Sequence, residues 1–350
     1  MSWLRVLLLF VPAAIAAKLL HAPGIAVFLL SAAAIIPLSG LLGQATEELA
    51  GHTGPTIGGL LNATLGNLAE LIIATLALRA GHLDLVKASI TGSILGNLLL
   101  VLGAAQLAGG LRHKVQRFNP QLAGMSVSLL VISVVGMVVP ALFHATHPDP
   151  GRIQSVQLST FVAGFLIVGY LLSLLYSMGT HRAVFGEGGH VAEGESGPTW
   201  SLARSLVTLG VAAAAIGLLS EFLVGSVEVA TRSLGLSEVF VGLIVVPIIG
   251  NAAEHSTAVM MAMRNRMDLS VNIAIGSSAQ VSLLIAPLLV FFGLAMGKPM
   301  DLAFQPMEVV SIILAVSVAS AVVRDAESNW LEGAFLLLAY GILGTLFFFF

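Results

Sequence analysis

Apolar residues run along the chain in long blocks separated by short clusters of turn-forming and charged residues. A helix needs roughly 20 apolar residues to cross a hydrocarbon core, and eleven blocks meet that requirement. Their approximate extents are 3–20, 24–50, 55–80, 84–107, 120–143, 155–179, 199–232, 239–263, 268–295, 303–323 and 330–350. His21-Ala22-Pro23-Gly24, Arg112-His113-Lys114, His147-Pro148-Asp149-Pro150-Gly151 and Arg324-Asp325-Ala326-Glu327 divide them. Ten-residue alternations of apolar and polar positions are absent, which argues against a β-barrel. The pattern predicts an all-α integral membrane protein with eleven transmembrane helices. The first block has the outline of a signal peptide, but further spans follow it and Lys18 suits an interfacial anchor, so it counts as span one.

Composition sharpens the class. Charged residues are 9 % of the chain, 15 basic and 18 acidic, where a soluble domain carries about a quarter. Hydrophobic residues reach 57 % and the mean hydropathy is +0.99, which excludes a soluble enzyme. The net charge is −3 and the basic residues sit singly, so nucleic-acid binding has no electrostatic footprint. With no cysteine there are no disulfides, thiolate metal sites or thiol nucleophiles.

Eleven spans with the N-terminus inside put Arg5, Arg112, Lys114, Arg117, Arg182, Arg204, Arg264, Arg266 and Arg324 in cytoplasmic segments. Lys18, Arg79, Lys87, Arg152, Arg232 and Lys298 fall outside, a balance that favours a cytoplasmic N-terminus and an external C-terminus. The longest polar stretch, Gly186 to Thr199, holds Glu187, His190, Glu193 and Glu195 among glycines near the middle of the chain. The expected organisation is a first helix (1–22), an N-terminal five-helix repeat (23–180), a cytoplasmic linker (181–199) and a C-terminal five-helix inverted repeat (200–350).

The repeat is read from self-similarity. Gly66-Asn67-Leu68-Ala69-Glu70 falls on Gly250-Asn251-Ala252-Ala253-Glu254 at an offset of 184. The same gapless register pairs Gly58 with Gly242, Asp84 with Asp268, Gly92-Ser93 with Gly276-Ser277, and Leu99-Leu100 with Leu283-Leu284. Alignment of Asn, Glu, Asp and Ser together marks a duplication. Five spans per copy is an odd number, so the second copy enters the membrane from the opposite side. Such inverted repeats are the architecture of many secondary transporters, whose ion sites lie near the midplane.

Glu70 and Glu254 each lie roughly fifteen residues into an apolar block. An acidic group near a bilayer centre costs on the order of 2.5–3.5 kcal/mol, and the sequence accepts that cost twice at related positions. Gly66 and Gly250 let helices approach closely or unwind, and Pro247 removes a backbone donor, so the three are candidate hinges or helix breaks. Asn67 and Asn251 add amide oxygens, and the partner spans add Ser93, Asn97, Ser277 and Gln280. This all-oxygen set suits a hard cation such as Ca²⁺, with Mn²⁺ also accepted. His255, beside Glu254, is placed with the two glutamates in proton coupling rather than among the ligands. Two facing carboxylates in low dielectric need protons or a divalent cation to neutralise them. Cation and protons then compete for one site, and that competition is antiport by alternating access.

The residues also carry a resemblance. Gly66-Asn-Leu-Ala-Glu70 and Gly250-Asn-Ala-Ala-Glu-His255 resemble the two signature repeats of the Ca²⁺/cation–proton exchanger (CAX) family of the Na⁺/Ca²⁺ exchanger superfamily. Gly92-Ser-Ile-Leu-Gly-Asn97 and Gly276-Ser-Ser-Ala-Gln280 are similar to its partner segments, and the similarity extends to Thr46-Glu-Glu-Leu-Ala50 and Ser328-Asn-Trp-Leu-Glu-Gly333. The resemblance implies eleven spans, the two Glu of the GNxxE motifs at the cation site, and moving gates in spans two and seven. Glu47, Glu48 and Glu228 would there help admit ions. It also implies no cofactor, Ca²⁺ being the transported substrate, with H⁺ and the lipid bilayer as partners and a homo-oligomer allowed. The mid-chain linker departs from the family's acidic helix, which puts calcium sensing there in doubt, and no autoinhibitory tail is expected.

Two rival functions use the same residues. A Na⁺/Ca²⁺ exchanger would carry Ser/Thr-x-Pro-Glu and Asp-containing repeats in place of GNxxE, and a passive channel would line a pore with the same carboxylates. An intramembrane hydrolase would need HExxH or GxSxG, and the chain has neither. A prokaryotic cell membrane fits the compact chain, ahead of a vacuolar one.

Overall fold

The computed structural model describes residues 6–147, 152–181 and 198–349, and there the apolar blocks are helices. In chain order they are α1 (Phe10–Leu19), α2 (Gly24–Leu65), α3 (Leu68–Ala80), α4 (Leu83–Leu95), α5 (Leu102–Gly110), α6 (Pro120–Thr146) and α7 (Ile153–Leu174). After the linker come α8 (Leu202–Val224), α9 (Val227–Leu234), α10 (Glu238–Phe240), α11 (Val246–Met263), α12 (Met267–Gln280), α13 (Ala286–Ala295), α14 (Pro306–Val322) and α15 (Trp330–Phe349). Two short strands, β1 (Gln116–Arg117) and β2 (Glu327–Ser328), pair antiparallel, Gln116 opposite Ser328.

Local chemistry sets the boundaries. Gly54 has φ 79° and ψ 170°, a conformation that costs a residue without a β-carbon little, and it interrupts α2. Gly81, at φ 93°, closes α3 in a left-handed cap, with its N–H on Leu78 O and that of His82 on Ala77 O. Asn119 caps α6 by accepting from the N–H groups of Gln121 and Leu122, and Pro120 occupies the first turn.

Among the described residues, four stretches widen into π-helical turns: Gly96–Val101, Leu175–Thr180, Val241–Val245 and Val281–Ile285. Two of them, 241–245 and 281–285, end two residues before a proline, Pro247 and Pro287. A proline donates no backbone hydrogen bond, and a wide turn just before it keeps the helix continuous. The turns at 96–101 and 281–285 also match at the offset of 184, as do the starts of α4 (Leu83) and α12 (Met267).

Among the described residues, eight helical segments are long and apolar enough to cross a membrane: 24–54, 83–110, 120–146, 153–180, 202–224, 238–263, 267–295 and 330–349. Expected spans one and ten correspond to the shorter α1 and α14. The third, 55–80, is split between the end of α2 and α3. Arg5, Arg182, Glu187, His190, Glu193 and Glu195 lie outside the described residues.

The chain forms two compact units that do not coincide with the two sequence halves, because each unit takes a segment from both. One unit comprises 1–89 and 193–254, the other 90–192 and 255–349. In the first, α8 packs along α2 and α3, and α1 and α9 pack on α2. In the second, α12 and α14 pack on α6, α13 on α7, and α15 on α5. The last contact is close because Gly103 and Gly333 face it. A β-carbon on Gly103 would lie 2.9 Å from that of Leu336, and one on Gly333 would collide with Leu107 N. Phe161, Phe165, Leu171 and Leu338 of this unit are exposed, as lipid-facing residues are.

Candidate cation site

The two signature motifs meet in the first unit. Gly66 ends α2, and Asn67, at φ −96° and ψ 25°, leaves helical geometry before α3 begins at Leu68. Glu70 therefore stands in the first turn of a helix, where the positive end of the helix dipole favours a negative charge by about 0.3–1 kcal/mol. Asn67 makes no side-chain cap to α3 and is 1 % exposed.

The second copy is built differently. Gly250, Asn251 and Glu254 lie inside α11, which runs unbroken from Val246 to Met263. The expected break at Gly250 and Pro247 is absent, since the π turn at Val241–Val245 absorbs the missing proline donor before the helix proper starts. Gly250 serves the other role open to it, close approach. A β-carbon there would stand 3.0 Å from Glu70 Oε1 and 3.4 Å from both Cγ and Cδ of Glu70. Reciprocally, the β position of Gly66 is 3.7 Å from Glu254 Oε1. Each glutamate thus lies over the glycine four residues ahead of the other, and the two carboxylates are brought together by the same interlock.

Polar satisfaction is incomplete around them. Glu70 Oε1 and both side-chain polar atoms of Asn251 are buried with no hydrogen-bond partner among the described residues. Native structures rarely tolerate such atoms unless a solvent molecule, an ion or a proton meets them. This half of the candidate set is oxygen-rich, carries two carboxylates, and suits a hard cation.

The second unit holds the remaining predicted residues. Asn97 sits in the π turn that follows α4, a feature often found at functional positions. Its Nδ2 donates to Ser277 Oγ at 3.1 Å, and its Oδ1 faces His255 Nε2 at 3.3 Å. That polarity puts the imidazole hydrogen on Nε2. Ser93 is buried on α4 and Gln280 is half-buried at the end of α12.

The predicted gate residues part company. Glu47 is exposed on α2. Glu48 accepts from Thr199 Oγ1 at 2.5 Å and from Trp200 N at 3.0 Å, while His52 Nε2 donates to Trp200 O at 2.7 Å. Glu48 thereby fastens the chain entering α8 to α2. Thr199, Trp200 and His52 were not predicted, although His52 follows Glu48 by one helical turn. Glu228, in the first turn of α9, is 61 % exposed and 3.9 Å from Arg232.

Comparison with known proteins places these motifs in context. The family model described as sodium/calcium exchanger protein matches residues 23–179 and 204–349. A Ca²⁺/H⁺ antiporter of Synechocystis sp. is 46 % identical, covering 98 % of this chain and 96 % of its own. The Ca²⁺/H⁺ antiporter ChaA of Bacillus subtilis is 39 % identical, with 97 % and 96 % covered. The solved structure of native YfkE superposes with a TM-score of 0.86 at 36 % identity, covering 99 % of this chain and all of that one.

Proposed function

Because the chain belongs to the sodium/calcium exchanger family, we propose that it is a secondary antiporter exchanging Ca²⁺ for H⁺ by alternating access, with Glu70 and Glu254 as the shared cation and proton site. The observation that carries this is the interlock that brings the two carboxylates together, each over the other motif's glycine. The Ca²⁺/H⁺ antiporters among its relatives support the choice of ions.

The chemistry follows from charge. Two like unit charges 4 Å apart repel by about 4 kcal/mol at an effective dielectric of 20, in addition to the cost of holding each in a membrane. A divalent cation cancels both charges, and so do two protons. The empty, doubly ionised site is the expensive state, so the protein reorients when it carries one passenger or the other. Asn67 and Asn251 supply neutral oxygens beside the carboxylates. Within the second unit, Asn97 donates to Ser277 and His255 holds the amide of Asn97 in orientation.

The proposed topology is eleven spans in a 1 + 5 + 5 arrangement with inverted repeats. It is supported by eight long apolar helical segments, the shorter α1 and α14, and the split third span. The charge distribution supports a cytoplasmic N-terminus and an external C-terminus, and the compact chain supports a prokaryotic cell membrane.

Purified protein in liposomes, under opposed pH and Ca²⁺ gradients, tests the proposal. A proton gradient alone should drive Ca²⁺ uphill, and Glu70→Gln or Glu254→Gln should each abolish that flux. Full exchange by both variants would overturn the assignment.

A further inference from the structure

A second group of metal-ligating side chains lies in the first unit, apart from the glutamate pair. His82 stands in the turn that Gly81 makes between α3 and α4. Glu238 opens α10, where Ser237 caps the turn by accepting from Phe240 N. Glu228 comes from the first turn of α9. One donor atom from each of the three lies within 4.8 Å of the other two, and His82 Nδ1 is 3.4 Å from Glu238 Oε2.

An ion pair between His82 and Glu238 would account for two of these groups but not for the third. Glu228 adds a second carboxylate to the same small space, and the guanidinium of Arg232 stands 3.9 Å from it on an 84 % exposed side chain. One imidazole and two carboxylates are the donors that borderline divalent cations such as Zn²⁺ and Co²⁺ accept, whereas Ca²⁺ takes oxygen alone. With three protein ligands, further coordination positions stay open to water.

We propose that His82, Glu228 and Glu238 form a peripheral site for a borderline divalent transition metal, distinct in ligand chemistry from the all-oxygen transport site. Its location gives it a consequence. The metal would tie the turn that follows α3, the helix bearing Glu70, to α9 and α10, which follow α8. Occupancy would thus restrain α3 against the end of α8, and Zn²⁺ would slow Ca²⁺/H⁺ exchange without occupying the glutamate pair.

The test is Zn²⁺ titration of the full-length protein in detergent, calorimetrically, in a Glu70→Gln/Glu254→Gln background that removes the central carboxylates. One Zn²⁺ should bind per chain. His82→Ala and Glu228→Gln should each weaken it by at least about tenfold, while Arg232→Ala should tighten it. Co²⁺ should give visible d–d absorption that His82→Ala removes, a readout independent of transport. In the otherwise native chain, Zn²⁺ should inhibit Ca²⁺/H⁺ exchange and His82→Ala should relieve the inhibition. Absence of Zn²⁺ binding in the double-Gln background would overturn the site, as would isotherms unchanged by both His82→Ala and Glu228→Gln. Loss of binding in Glu238→Gln, which preserves side-chain shape, would separate ligation from misfolding. Because binding is read without the central carboxylates, its failure leaves the transport assignment intact, and the reverse also holds.

Discussion

Glu70 Oε1 lies 3.0 Å from where a β-carbon would stand on Gly250. A methyl group there must push the carboxylate aside, because Cγ and Cδ of Glu70 would also be only 3.4 Å away. Gly250→Ala should therefore raise the KM for Ca²⁺ in proteoliposome uptake while the protein still elutes as a folded species. Alanine is otherwise the better helix former at this position, by about 1 kcal/mol, so a transport loss would come from the site and not from the helix.

In the proposed site Ca²⁺ and protons neutralise the same carboxylates, which makes apparent affinity depend on pH. Acidifying the Ca²⁺-loading side protonates the glutamates and should raise the apparent KM for Ca²⁺, by up to about tenfold per pH unit for each proton displaced. Raising pH should lower KM until both carboxylates are free of protons, then leave it flat. Initial-rate ⁴⁵Ca²⁺ uptake at several fixed pH values measures the slope. A KM that does not move with pH would separate the two ions.

Asn97 bridges two partners, so the cost of removing each piece should be unequal. Ser277→Ala leaves Nδ2 of Asn97 without that acceptor, while Asn97→Ala strips both the Ser277 and His255 contacts. Each lost contact is worth about 0.5–1.5 kcal/mol, and a buried group left unsatisfied about 1–3 kcal/mol. Thermal unfolding in detergent should rank wild type above Ser277→Ala. A Ser277→Ala and His255→Phe double variant should fall short of additivity, because both act on one amide.

Glu48 holds Thr199 and Trp200, and Arg204 lies over the Trp200 ring at 4.2 Å. Glu48→Ala should release the segment leading into α8. With Trp3 and Trp330 replaced by Phe, the emission of Trp200 should shift to the red and become more accessible to iodide. Glu48→Gln, which keeps an acceptor oxygen, should shift it less. An unchanged spectrum in Glu48→Ala would mean that the clamp carries no weight.

Arg152 Nη2 reaches Asp301 Oδ2 at 2.7 Å, and Asp301 is buried. Removing the guanidinium leaves a buried carboxylate, a change that typically costs about 3–5 kcal/mol. Arg152→Ala should consequently lower Tm more than Asp301→Asn, which removes the charge together with the need to balance it.

How far the sequence anticipates the structure depends on distance along the chain. Glu70 and Glu254 are legible because a gapless offset and their isolation in apolar blocks need only local reading. The helices follow from block length for the same reason. The asymmetric break was hidden, because the same Gly-Asn dipeptide leaves the helix at Asn67 yet stays inside it at Gly250. What separates the two is Pro247 and the π turn ahead of it, a response of the backbone that no residue pattern encodes alone. The interleaved units, the Glu48 clamp and the grouping of His82 with Glu228 and Glu238 depend on segments about 150 residues apart. Nothing in the spacing of those residues announces that they meet.

A helix break at Asn67, with an unbroken helix at Asn251, makes the site mechanically lopsided. A bend at a residue already outside helical geometry requires little further loss of hydrogen bonding, whereas bending α11 at Gly250 must first open a continuous ladder. Two carboxylates that mirror each other in sequence are mounted on arms of different stiffness, one jointed and one a strut. In the proposed exchange cycle the arm carrying Glu70 can therefore turn about Asn67, while the arm carrying Glu254 moves as a rigid length of helix.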